Sequence, residues 1–385
     1  MITNIVRNSV KQSQLIEFLA KTRGGNAEQI AKALYQKCTS GELTKTYELL
    51  KKLERKGYIE YFVYSDDISQ RRFYYLTKKG LELFQDFYNI KEPYKGTGFF
   101  RDYGYFKHSL YKPKPNQIKH LLMCVDAMVD VYLLMIQYPD LNIDFANNLY
   151  AATRNMKADF IIMKSKETYY AEIDRSNERG IALSEKFKRY NGHFKKLENE
   201  KLPLGIYFIV PNPKKIKQDY FDASLQKRFM SVADAYRKEC ADYLLNVDLC
   251  FLTVSDFSEI LQEDLLPDKI NEELVKYLRE KFGPSFNLSW NNKDIYYVKK
   301  GGQTHYIFTE IRWQRINIWY KLLKQQEGHS EKVTTEGGLL KFEDFNHIPE
   351  IHILTGKRNL IQLIDFNKQF NSYNSDQLCK FIFKT

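Results

Sequence analysis

The sequence contains no C-x-x-C pair, and its cysteines and histidines are read as forming no metal-binding cluster. Cys38, Cys124, Cys240, Cys250 and Cys379 stand far apart, and five thiols cannot all pair within one chain. A disulfide framework is not expected, and a reducing cytoplasm fits best. The opening MITNIVRNSVKQSQLIEF has no apolar h-region, and no uninterrupted apolar run reaches the roughly 18 residues that cross a bilayer, so neither a signal peptide nor membrane contact is expected. The Gly-Gly pairs beginning at Gly24, Gly301 and Gly337 are not followed by Gly-Lys-Ser/Thr, which removes a phosphate loop. Internal repeats are absent.

What is there is core material. Hydrophobic residues make up 43% and charged residues 28% of 385 positions, with 28 Tyr and 26 Phe, so the chain should fold into two or three domains. The net charge of +11 favours a polyanionic partner, and it is concentrated: residues 1–80 hold 15 Lys and Arg against 8 Asp and Glu.

Apolar positions recur at helical spacing in KQSQLIEFLAKT and NAEQIAKALYQK, on either side of Gly24-Gly25. ELTKTYELLKKLERKG predicts a third helix with Leu43, Tyr47, Leu50 and Leu53 inward, and Gly57 as its stop. YIEYFVYSDD and QRRFYYLTKKG predict a hairpin turning at Asp66 to Gln70. Three helices and a hairpin form the order of a winged helix. On that plan Lys45, Lys52 and Arg55 would face the major groove or its phosphates, and Arg71 and Arg72 would sit on the wing. The alternatives are an ordinary solvated helix face, or a winged helix that binds protein.

Residues 88–116, rich in Gly, Pro, aromatic and basic residues, read as a linker. A long core helix follows in NQIKHLLMCVDAMVDVYLLMIQY. After it come three strands (LNIDFANNLY, KADFIIMK, ETYYAEID), a helix (NERGIALSEKFKRYNGHFKKLE), and the buried strand PLGIYFIVP. Further helix is expected at about 223–244, then the strand VDLCFLTVS and an acidic segment to about 282. Residues 283–385 mix β-like runs with one helix, QRINIWYKLLKQQ. The expected domains are 1–87, 117–282 and 283–385, with an α/β (α+β overall) fold.

Asp159, Glu172 and Asp174 fall in this strand-rich stretch, with Glu172 and Asp174 on one face of a period-2 strand. Three carboxylates gathered at strand ends need a cation, and an oxygen-only set suits Mg²⁺ or Mn²⁺, which could activate water against a phosphodiester. A solvated strand end, or pairing with Lys157, Arg175 and Lys186, explains them as well. Asp126 and Asp130 on the long helix could add a carboxylate or line a solvated face. His120 and His193 read as structural or surface residues.

The helix, three strands, helix, strand order with acids on the second and third strands resembles the PD-(D/E)xK nuclease-like fold. Ala158-Asp159 replaces its Pro-Asp, and Asp174 stands where that family places lysine; Lys186 from the following helix is the substitute the resemblance implies. A resemblance spanning roughly residues 10–215 is closer. The helices and hairpin, then KADFIIM, then YYAEIDRSNERGIALSEKFKRY with its Glu172-x-Asp174 and Lys186-x-x-x-Tyr190, are similar to the plasmid replication-relaxation family. It implies a double-stranded-DNA-binding protein of a plasmid or other mobile element, acting in replication initiation, relaxation or mobilisation. Relaxase or replication proteins are its candidate partners and a homodimer its candidate assembly. The alternatives are a Mg²⁺-dependent restriction or nicking endonuclease with Asp159, Glu172 and Asp174 as ligands and Lys186 as charge stabiliser, and a winged-helix transcriptional regulator.

Overall fold

A computed structural model describes residues 10–65, 70–90, 105–149, 156–175, 180–212, 223–244 and 246–266, with shorter stretches at 279–280, 283, 287–292, 295–300, 303–311, 315, 317, 350–355 and 364–365. The chain divides into two compact units. The first comprises 1–177, 207–212 and 252–265, and the second comprises 178–206, 213–251 and 266–385. The fold is mixed α and β throughout.

The first unit begins with α1 (Val10–Thr22), α2 (Ala27–Tyr35) and α3 (Ser40–Arg55), followed by the antiparallel hairpin β1 (Ile59–Ser65) and β2 (Gln70–Leu76) and by α4 (Lys78–Phe87). Local chemistry sets these boundaries. Asn26 and Gln29 form a capping box that starts α2, and Gln36 ends it at φ 60°. Thr39 and Glu42 start α3 in the same way, and Gly57 at φ 71° follows its end. The expected turn at residues 66–69 lies outside the described residues.

The inner stripe of α3 is displaced from the expected one. Glu42, Thr46, Leu50 and Leu53 are buried, whereas Tyr47 is 52% exposed. The Thr46 hydroxyl donates to the Glu42 carbonyl at 2.8 Å, so its polar atom is satisfied within the helix and burying it costs little.

The core of this unit is α5 (Ile118–Gln137) against β3 (Ile143–Asn147), β4 (Phe160–Lys164) and β5 (Glu167–Ile173), which open a five-stranded sheet ordered β3-β4-β5-β6-β7; β6 (Gly205–Val210) and β7 (Asp248–Thr253) are each divided between the two units. The first three strands are antiparallel neighbours. In sequence, α6 (Ile181–Phe194) and α7 (Ala223–Glu239) precede β7, and α8 (Val254–Leu265) follows it. α8 stands where an acidic segment was expected. It buries Phe257, Ile260, Leu261 and Leu265 at helical spacing, and Phe257 meets Phe160 and Tyr207 edge-on at 6.4 and 5.5 Å. The stretch Pro115–Gln137 is, by length and composition, apolar enough to cross a membrane, with mean hydropathy 1.5. A search for uninterrupted apolar runs passes over it because Lys119, Asp126 and Asp130 punctuate it. Its contacts, with β3, α2 and α8, are those of a core helix.

Buried polar anchors join α1 and α2 to this core. Lys21 Nζ reaches Asp144 Oδ1 at 3.0 Å. Gln29 Nε2 donates to the Leu122 carbonyl and to Asp126 Oδ1, both at 2.8 Å. Arg23, in the turn after α1, donates to the carbonyls of Tyr111 and Leu110 and to Asn148 Oδ1 at 2.9–3.3 Å. Tyr111 belongs to a short helical turn inside the expected linker; it is buried and donates from its hydroxyl to the Leu19 carbonyl at 2.7 Å. Asn147 uses both ends of its amide: its Nδ2 donates to the Lys21 and Ala20 carbonyls at 2.8 and 3.4 Å, and its Oδ1 accepts from the Leu149 amide at 2.8 Å. Asn147→Ala leaves these groups unsatisfied in the interior and is expected to cost about 2–3 kcal/mol, read as a lower midpoint in urea with an unchanged slope.

In the second unit α6 packs on α7, with Phe187 and Tyr236 edge-to-face at 5.3 Å. Asn317, fully buried, donates to the Leu244 carbonyl at 2.7 Å and accepts from the Leu249 amide at 3.1 Å. A second five-stranded sheet is ordered β12-β11-β10-β9-β8, comprising β8 (Asn287–Asn292), β9 (Ile295–Lys300), β10 (Gln303–Ile311), β11 (Glu350–Thr355) and β12 (Ile364–Asp365). The pair β10/β11 is parallel and the other pairings are antiparallel. β8 was not expected from the sequence. Nearly all of the expected helix QRINIWYKLLKQQ lies outside the described residues.

Candidate functional site

Among the described residues, two groups of side chains carry chemistry, both in the first unit. The first is the outer face of α3. Because positions 46, 50 and 53 turn inward, Lys45, Lys51, Lys52 and Arg55 turn outward with Tyr47 and Glu48, and all of them are exposed. The two hairpin arginines part company, since successive residues of a strand point to opposite faces. Arg72 is exposed, with its guanidinium 4.2 Å from the Tyr61 ring centroid and a hydrogen bond to the Tyr74 side chain. Arg71 is instead held by both carboxylate oxygens of Glu28, each at 3.1 Å.

The second group is an acidic corner where β4 and β5 meet α5. Asp159 immediately precedes β4, and its amide donates to the Ala171 carbonyl at 3.0 Å. Its carboxylate folds back on the strand pair: Oδ2 accepts from the Ile173 amide at 2.8 Å, and Oδ1 lies 2.9 Å from His120 Nε2. The two side chains are 19% and 32% exposed respectively. Glu172 on β5 and Asp174 just beyond it are 3% and 2% exposed, and the Asp174 amide donates to the Ile209 carbonyl of β6 at 2.8 Å. Lys186 is buried on α6, in the second unit.

The corner includes residues that the sequence reading passed over. Cys124 lies one helical turn after His120, and its Sγ, a His120 ring nitrogen and an Asp159 oxygen lie within 4.8 Å of one another. Burial holds the Cys124 thiol well above its ordinary pKa, and the charges of Asp159 and then Glu172 push the same way. Lys157 is lowered by burial and by repulsion from Arg23, with attraction to Asp159 opposing. The His-x-x-x-Cys spacing was readable in the sequence; the approach of Asp159 depends on how α5 crosses the sheet.

Asp126 and Asp130 do not extend the acidic corner. They face α2: Asp126 accepts from Gln29, and Asp130 feels Lys32 and Asp126. Burial raises Asp130 to about 6, with Lys32 lowering it and Asp126 raising it. A carboxyl whose pKa is higher folded than unfolded retains a proton that the unfolded chain has lost. Stability is therefore gained as pH falls from about 6 towards 4 and is absent at neutral pH. Asp130→Asn is expected to stabilise the protein by roughly 2 kcal/mol at pH 7 and to flatten its stability profile between pH 6 and 4. Unchanged melting at pH 7 with the profile intact would show that Asp130 ionises at no cost.

The family model described as replication-relaxation matches residues 16–201, a span that begins within α1, ends beyond α6 and includes the hairpin and every acid of the corner. No curated protein and no solved structure matches the chain.

Proposed function

We propose, from the replication-relaxation region that this chain carries over residues 16–201, that the protein binds double-stranded DNA of a plasmid or other mobile element and acts in its replication initiation or relaxation. The observation that carries the reading is the exposed basic row on α3, Lys45, Lys51, Lys52 and Arg55, fixed in direction by the buried Thr46, Leu50 and Leu53. Three helices followed by a hairpin make a winged helix on this reading, with α3 entering the major groove and Arg72, stacked on Tyr61, contacting the adjacent backbone. Arg71 is committed to Glu28 and holds the hairpin to α2.

The core, with its helix, three strands, helix, strand order, is a nuclease-like scaffold on this reading. Hydrolytic Mg²⁺ needs carboxylate oxygens facing open coordination positions. Asp159 gives Oδ2 to the Ile173 backbone amide, Glu172 and Asp174 are 3% and 2% exposed, and a further acid stands where the nuclease pattern has lysine. These residues do not fit such an ion, which favours the binding role over the endonuclease.

The test is fluorescence anisotropy of the full-length protein with a duplex from its element's origin and a scrambled duplex of equal length. Tighter binding to the origin, weakened by Arg72→Ala, is expected. Equal affinity for both duplexes would overturn the origin-specific reading.

A further inference from the structure

We propose that His120 Nε2, Cys124 Sγ and Asp159 Oδ1 form a binding site for a borderline-soft divalent cation, Zn²⁺ foremost. The three donor atoms lie within 4.8 Å of one another. A tetrahedral zinc ion with bonds of about 2.0–2.3 Å places its ligands roughly 3.3–3.8 Å apart. Gathering the ligands around the ion therefore takes adjustments on the order of 1 Å. His120 and Cys124 are presented by one turn of α5, a core helix, so their spacing is fixed by the helix itself.

Asp159 comes from the start of β4 and is oriented by the Ile173 amide on its other oxygen, the outer-shell support that metal-binding carboxylates usually have. The donor set decides the metal. One imidazole nitrogen, one sulfur and one carboxylate oxygen suit Zn²⁺ or Co²⁺, whereas Mg²⁺ prefers oxygen alone. Binding exchanges the His120–Asp159 hydrogen bond for two metal bonds, and the Cys124 thiol releases its proton to solvent as the thiolate takes the ion. His120 and Asp159 are partly exposed, so water can supply a fourth ligand. The site would tie the core helix to the strand that carries the acidic corner. It is independent of DNA binding by α3.

The experiment is titration of the metal-stripped full-length protein with Co²⁺, read by absorption. One equivalent should bind with a thiolate-to-cobalt charge-transfer band in the near ultraviolet, displaced by Zn²⁺ and not by Mg²⁺. Cys124→Ser should abolish the band, while Cys38→Ser should keep it. Zn²⁺ at 100 times its Kd should raise the melting temperature by roughly 5–10 °C. If Cys124→Ser fails to fold by circular dichroism, His120→Gln, on a partly exposed side chain, takes its place and should lose stoichiometric uptake. Absence of uptake by the wild type, a band that survives in folded Cys124→Ser, or undiminished uptake by His120→Gln would each overturn the site.

Discussion

Alanine at Lys45, Lys52 and Arg55 together should lower affinity for duplex DNA roughly a hundredfold near 0.1 M salt and reduce the slope of log K against log salt by about three. Each cation that neutralises a phosphate releases a condensed counterion, so three lost contacts appear both as weaker binding and as flatter salt dependence. The two readouts together separate loss of phosphate contacts from damage to the fold. All three side chains are exposed, and α3 is held by the Thr39–Glu42 capping box and by Leu50 and Leu53. Melting should therefore change little. Tyr47 shares the face and is available for an apolar contact, so Tyr47→Ala should weaken binding without changing the slope. Retained affinity with an unchanged slope in the triple variant would move the DNA contact away from α3.

The largest expected effect on stability is at Gly24. Its φ of +135° is disfavoured for any residue with a side chain, and a Cβ built there would lie 2.6 Å from the Tyr74 carbonyl oxygen and 2.3 Å from the Phe73 ring. Relief by rotating Phe73 is blocked because that ring is buried against Ile118 and Leu121. The adjoining Gly25 exchanges two backbone hydrogen bonds with Tyr74, at 2.9 and 2.8 Å, and these dock the hairpin on the α1–α2 turn. Gly24→Ala is expected to cost about 3 kcal/mol or more, visible in denaturant unfolding, and to loosen the hairpin that carries Arg72. Gly41→Ala, whose Cβ would meet only the Thr39 hydroxyl at 3.8 Å, is the control and should be near neutral. Equal stability of the Gly24 variant and the wild type would show that the α1–α2 turn adopts another conformation.

Much of this architecture was legible in the sequence because each step had a local cause. The order of helices, hairpin, three strands, helix and strand followed from apolar period, caps and glycines. Readings failed where tertiary contacts decided. Hydrophobicity pointed Leu43 and Tyr47 inward, but packing chose Glu42 and Thr46, whose polar atoms are satisfied locally. α8 was missed because its acids obscured the spacing of Phe257, Ile260, Leu261 and Leu265. At the acidic corner the sequence located Asp159, Glu172 and Asp174 but not the burial of the last two. His120 read as a structural or surface residue because Asp159 is 39 positions away and meets it only through the crossing of α5 over the sheet. Asp126 and Asp130 read as an added carboxylate for the corner or as a solvated face, yet they face α2.

The most direct measurement is incubation of the purified protein with supercoiled plasmid carrying its element's origin, in Mg²⁺ or Mn²⁺, with binding and DNA topology read from the same gel series. A protein that binds through α3 and carries an acidic corner unsuited to hydrolytic Mg²⁺ should retard the plasmid and leave it supercoiled, with Asp159→Ala and Glu172→Ala behaving alike. Nicked or linear plasmid produced by the wild type and lost in both variants would contradict the account and make the corner a metal-dependent nuclease centre.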